Sequence, residues 1–208
     1  MYNIVIIFMI SLLSQSSVVF SSAGIPGEDL PKHIRTGYNI VRSTNHDYLN
    51  EYIEAVRPKL SQTLRDVVPG ELILASGFVT NDQDPLDMAG CYIRLGQHLR
   101  QSDILEDRHR FSSVSFFNAG GIYAKLAFEL SRQEVDIDVK EIRMNFLVST
   151  AQCYYWAFCN EPNHHKKEIE RTLSIDYLRY ARDDANLLPD EVNAFWFHKI
   201  DQEHAKLF

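Results

Sequence analysis

Three acid–histidine pairs stand three residues apart: Glu106 with His109, Glu161 with His164, and Asp201 with His204. On a helix that spacing puts a carboxylate and an imidazole on one face, the arrangement used in carboxylate-bridged di-metal bundles. Such a centre also needs carboxylates from facing helices. The first pair falls in the highly charged stretch 104–110, and the second spans Pro162 at a helix junction. Asp201 and His204 lie inside a clearly periodic helix, so they are the metal-ligand candidates. Asp82, Asp84 and Asp87 lack the alternating ligands, central Gly and terminal Glu of a calcium loop. Asp84, directly before Pro85, reads instead as a helix cap.

Two further groups are binding candidates. His164, His165, Lys166 and Lys167 form a basic patch at the start of a helix, where positive charge opposes the helix dipole. The patch suits an acidic partner or an anionic headgroup, or is an ordinary solvated first turn. Phe195, Trp196 and Phe197 cannot all face one way on a helix. Phe197 is expected to point away from the apolar stripe as an interface anchor, since rigid aromatic rings dominate binding hot spots. The alternative is a second buried contact.

Cys91, Cys153 and Cys159 are the disulfide candidates. Cys153 and Cys159 are separated by about 9 Å of helical rise, too far for a bond that needs Cα atoms within about 7 Å. Pairing would therefore join Cys91 to one of the other two. Otherwise all three are buried thiols acting as small hydrophobes. No phosphate loop, dinucleotide fingerprint, H-E-x-x-H, C-x-x-C or G-x-S-x-G elbow occurs, so no cofactor is expected.

The elements that would position these residues are helical. Leu49, Ile53, Val56, Leu60, Leu64 and Val67 recur at spacings of three and four, with Pro58 expected to kink that helix. Asp84 and Pro85 open a second helix. Ser112 or Ser113 opens a third, running through Gly120 and Gly121 to about residue 132. In it Gly120, Ala124, Ala127 and Ser131 form a small-residue stripe for close helix approach. Asp136 or Asp138 opens a fourth. A fifth follows the turn at Pro162, and Pro189 starts the last. Residues 71–80 are too short an apolar run to assign by period. Residues 144–160 contain no charge, so their helix is expected to be surrounded by others. The fold class is all-α: one domain over 24–208, a bundle of about five to seven helices around a central apolar helix at about 137–159.

Composition narrows the function. The 208 residues carry 21 basic and 28 acidic groups, a net charge of −7, and 45% are apolar. A disordered tail is excluded by that apolar content, and a nucleic-acid binder by the absence of a basic stripe. Residues 1–27 carry no charged side chain, residues 4–13 are almost wholly apolar, and Ser21, Ser22 and Ala23 follow. This is the layout of a secretory signal peptide over 1–23, cut after Ala23. No stable membrane span is expected in the mature chain.

Together these features describe a secreted or periplasmic helical protein that binds a protein partner without a catalytic group of its own. An inhibitor or immunity-type protein is one form of it. Two other readings stand beside it: a helical carrier of an apolar small ligand, and a metal-dependent helical enzyme using Asp201 and His204.

Overall fold

Pro58 ends the first amphipathic stretch where a kink was expected. The computed structural model describes residues 46–78, 84–103, 105–131 and 136–207. In it, α1 (His46–Val56) stops short of Pro58, and Arg57–Lys59 tighten into a 3-10 turn. Leu60 is extended at ψ 152°, and the chain re-enters helix in α2 (Gln62–Arg65). Without an N–H, and with its ring against the preceding turn, proline cannot extend the α-helical ladder. The apolar spacing survives the break through Val56, Leu60 and Leu64, which are buried; beyond them Val68 is the buried valine and the expected Val67 is only half-buried. Arg57 fastens the corner, its Nη1 donating to the carbonyls of Arg65 (2.7 Å) and Val68 (3.0 Å).

The ambiguous run resolves as helix where it is described. α3 (Gly70–Ala75) covers its first half, and Gly77 turns the chain at φ 72°, a conformation that side chains rarely adopt. Asp84 is the cap expected of it: its Oδ1 accepts the Leu86 N–H at 2.8 Å at the head of α4 (Pro85–Gln101).

Helix α5 (Arg108–Leu130) starts a full turn before the expected serines and runs unbroken through Gly120 and Gly121. Ser112, Ser113 and Ser115 are fully buried inside it. They could not be read as interior residues because serine favours caps when it lacks a distant acceptor. Here Ser112 Oγ donates to Gly96 O (2.7 Å) and Ser115 Oγ to Tyr92 O (2.8 Å), both across on α4. A helical carbonyl keeps a second lone pair for such a donor.

The remaining elements are α6 (Ile137–Asn160), α7 (His164–Ala185), α8 (Asp190–His204) and a closing 3-10 turn at Ala205–Leu207. The fold is all-α. The described residues hold eight α-helices, more than five to seven, because Pro58 splits the first stretch and the short run after Pro69 is helical.

Helices α4 to α7 pack each against its neighbour in sequence, as an antiparallel row. Phe117 meets Tyr154 and Tyr123 meets Phe146, at ring-centroid distances of 5.1 and 6.1 Å, so position falls along α6 as it rises along α5. Gly120 lets these helices close: a Cβ there would lie 3.0 Å from the Tyr154 ring. Ser131, at the far end of the expected small-residue stripe, is exposed.

Helix α6 is central, with eleven buried residues. Its Cys153 and Trp156 serve a core beneath α1–α4, and Met144 to Ala151 serve a second core shared with α7 and α8. Each fully buried Leu or Met in these cores contributes roughly 1.5–3 kcal/mol. Helix α8 lies on α6 and α7. Trp196 Nε1 donates to Glu141 Oε1 (3.1 Å) and Lys199 Nζ to Asn145 Oδ1 (3.2 Å). Burial holds the Lys199 ammonium below its usual range, with Glu203 opposing.

Among the described residues no helix is long and apolar enough to cross a membrane. The expected leader and the cut after Ala23 lie outside the described residues.

Candidate functional site

The acid that burial perturbs most is Glu170, on the second turn of α7. Its residue is 5% exposed, and burial pushes its carboxyl up to about 7. The Glu161 charge adds to that rise, while the Ser113 hydroxyl, Lys166 and Lys167 oppose it. Glu161, also buried, caps the C-terminal end of α6 and turns its side chain inward. Its Oε1 accepts the Asn163 N–H at 2.8 Å.

Between the two carboxyls stands Ser113 of α5, with Oγ 3.1 Å from Glu161 Oε2 and 3.0 Å from Glu170 Oε1. Three elements therefore converge on one hydroxyl. Glu170 Oε2 is buried and has no hydrogen-bond partner. Because burial disfavours the charged form, such a carboxyl takes or releases a proton near neutrality.

At the other end of the same helix, Asp184 faces Arg143 of α6. Arg143 Nη1 donates to Asp184 Oδ1 at 2.9 Å and stands 2.7 Å from Oδ2. Burial raises the Asp184 carboxyl, and the Arg143 charge and hydrogen bond oppose it. Leu130, Ser131, Val139, Lys140 and Leu187 complete a pocket of about 100 Å³ around this pair. That is well below the ~300–1,000 Å³ of a typical small-molecule site.

The residues singled out from sequence are not brought together. His164, His165 and Lys166 are exposed on the first turn of α7, where Asn163 caps the helix through the Lys166 N–H (3.1 Å). Lys167 is half-buried over the Phe158 ring, 5.0 Å from its centroid. Glu161 and His164 do not share a face: the acid turns in and the imidazole out. Phe197 does not point away from the core. It is half-buried against the second core and under Arg182 (5.6 Å), and Phe195 is the exposed ring instead. Trp196 must take the buried position to reach Glu141, which rotates Phe195 outward.

Asp201 is exposed and bonded to Arg182 (2.6 Å), so its carboxylate meets a cation where a metal centre needs facing carboxylates; His204 is exposed too. Among the described residues no group of three or more His, Cys, Asp or Glu side chains could hold a metal ion.

The cysteines form no disulfide. Cys91 and Cys153 are buried, Cys159 exposed. Cys91 Sγ donates to Gly77 O (3.3 Å) and accepts from Arg94 Nη2 (3.2 Å). Burial alone raises the Cys153 thiol, which keeps it protonated.

Among the described residues an aromatic row reaches the surface. Phe117, Tyr154, Tyr177 and Tyr180 form a row across α5, α6 and α7, with successive centroids 5.1, 5.6 and 5.8 Å apart. The row is anchored by buried Tyr154, whose phenol burial pushes up to about 12, and is exposed at both ends, Phe117 at 39% and Tyr180 at 45%. Tyr154 lies on the side of α6 turned from Glu141 and Asn145, so the row faces away from α8. No family model, curated protein or solved structure matches this chain.

Proposed function

We propose that this chain is an exported helical protein that acts by binding a protein partner, with no catalytic group of its own. The observation that carries the reading is the aromatic row. Rings stacked edge and tilt across three helices are rigid, and their exposed ends offer apolar area at low entropic cost. Ile169 extends the apolar character along α7, being exposed and eleven residues, about three turns, from Tyr180. The acidic surplus of the chain favours a basic partner, as an inhibitor or immunity-type protein would have. Export rests on the uncharged apolar opening of the sequence, and mass analysis of the protein from its own source tests it: loss of residues 1–23 is expected.

The binding test compares wild-type chain with the Phe117→Ala/Tyr180→Ala variant as baits in the compartment where the protein resides. A protein recovered by the wild type and lost at least tenfold by the variant is the expected result. Equal recovery by both, or recovery of nothing by the wild type, would overturn the reading. Phe128→Ala, an exposed ring outside the row, serves as the matched control.

A further inference from the structure

We propose that Ser113, Glu161 and Glu170 form a buried proton-binding site whose proton holds the α6–α7 turn and the start of α7 against α5, and whose release loosens them. A serine hydroxyl has one proton to give, yet Ser113 Oγ stands at hydrogen-bond distance from carboxyl oxygens on both sides, 3.1 and 3.0 Å. Glu161 is placed as an acceptor, since its other oxygen already takes the Asn163 N–H. When Ser113 donates to Glu161, the contact to Glu170 is a hydrogen bond only if Glu170 is the acid and donates its own O–H to the serine oxygen. One proton beyond the serine's own therefore satisfies the whole chain from Asn163 to Glu170.

Removing it leaves an oxygen–oxygen contact at 3.0 Å without a hydrogen, and puts a full charge on a carboxylate whose other oxygen, Oε2, is already buried without a partner. An uncompensated buried charge is costly enough that the surroundings move to admit water. The charges facing the site are Glu161 from the turn, which disfavours release, and Lys166 and Lys167 from α7 itself, which favour it. α5 contributes the uncharged Ser113. The segment that moves runs from Glu161 through the first turns of α7, since its attachments to α5 converge on this hydroxyl.

The direction with pH follows from the raised carboxyl. Glu170 sits at about 7 in the fold against its usual 4.5. Between those values the closed form holds the proton and the open form does not, so closure is strongest at low pH and weakens as pH rises through about 7.

Two measurements on the full chain test this. Carboxyl-carbon NMR should show the Glu170 resonance titrating near neutrality. Amide hydrogen exchange in the first two turns of α7, corrected for intrinsic rates, should show opening on the order of tenfold more frequent at pH 8 than at pH 5.5. Glu170→Gln should abolish that pH dependence and stay closed, because its amide can donate to Ser113 Oγ but not ionise. A Glu170 titration at its ordinary value, or α7 protection unchanged between the two pH values, would overturn the proposal. Both wild-type readouts stand even where the variant fails to fold.

Discussion

Helix α7 carries a buried acid near each end, and the fold treats them differently. Asp184 is met by a cation, Arg143, at 2.7–2.9 Å. Glu170 is met by a hydroxyl and by a second carboxyl. Both carboxyls are raised, and burial is the first cause in each. At Asp184 the guanidinium offsets much of that cost and the acid keeps its charge partner. At Glu170 the lysines are on the solvent side of the same helix, and the carboxyl rises to about 7. The pair teaches that a buried carboxylate and a buried carboxylic acid are distinguished by what stands opposite. An Arg makes a fixed ion pair, whereas a hydroxyl shared with another acid makes a group that can exchange its proton.

The largest break in this comparison comes from taking the cation away. Arg143→Met leaves Asp184 buried opposite an apolar chain, the kind of change that costs about 3–5 kcal/mol when one partner of a buried pair is removed. About 3 kcal/mol is expected here, because Arg143 retains 30% side-chain exposure and water can reach the site. Thermal unfolding at pH 7.5 should shift down by roughly 6–12 °C, at ~2–4 °C per kcal/mol for a chain of this size. Adding Asp184→Leu should restore much of the loss, because the double variant leaves neither charge behind. A single variant within a degree of wild type would show that the ion pair contributes nothing.

At the other end the corresponding break is smaller. Ser113→Ala removes a neutral donor and leaves Glu161 and Glu170 facing a methyl group. A buried acceptor left without its donor costs about 1–3 kcal/mol, and Glu161 keeps the Asn163 N–H. About 1–2 kcal/mol is expected, read as a lower denaturant midpoint with an unchanged slope. Ser112→Ala is the control within the same helix. It orphans no carboxyl, since Gly96 O keeps its helical partner, and it should cost less.

Much of the scaffold around these acids could be read from spacing. The uncharged run 144–160 specified a helix covered on most sides, and α6 is that helix. Capping chemistry located the head of α4 through Asp84, and the turn at Pro162 marked where α7 begins, although the Asn163 cap itself shows only in the fold. The acid site was harder, for physical reasons. Sequence distance pairs Glu161 with His164, but Pro162 interrupts the helix and the two side chains diverge. From sequence Ser113 reads as a helix start, because only the fold supplies the distant acceptors that make a serine tolerable inside a helix. Glu170 sits in a segment of His, Lys and Glu that reads as solvated.

A signal was present all the same. Glu170, Ser174, Leu178, Ala181 and Ala185 are buried at spacings of three and four, so an acid heads the inward stripe of α7. A charged residue in phase with a buried stripe needs a partner, and the search for one leads across to α5. The aromatic stretch 195–197 failed differently: period alone leaves the phase of a wide apolar face undetermined, and the Trp196–Glu141 hydrogen bond sets it.

The smallest expected effect sharpens the comparison most, because it separates distance from burial. Arg182 and Asp201 join α7 to α8 through the shorter bond, 2.6 Å, against 2.7–2.9 Å for Arg143 and Asp184. Both partners are at least half exposed, however, at 50% and 59% of their side chains. In water the attraction of two such charges is weak and screened, and fixing two long side chains opposes it. Asp201→Asn should therefore cost only about 0.2–1 kcal/mol, and that loss should vanish in 1 M salt, where the screening length is about 3 Å. Most of the Arg143→Met loss should persist in the same salt, since ions screen a partly buried pair, 30% and 13% exposed, far less. Unfolding curves of the two variants at low and high salt make the comparison directly. Equal losses for both would mean that contact distance outweighs burial in setting the strength of these pairs. That result would remove the ground for ranking the buried Arg143–Asp184 pair above the exposed Arg182–Asp201 pair.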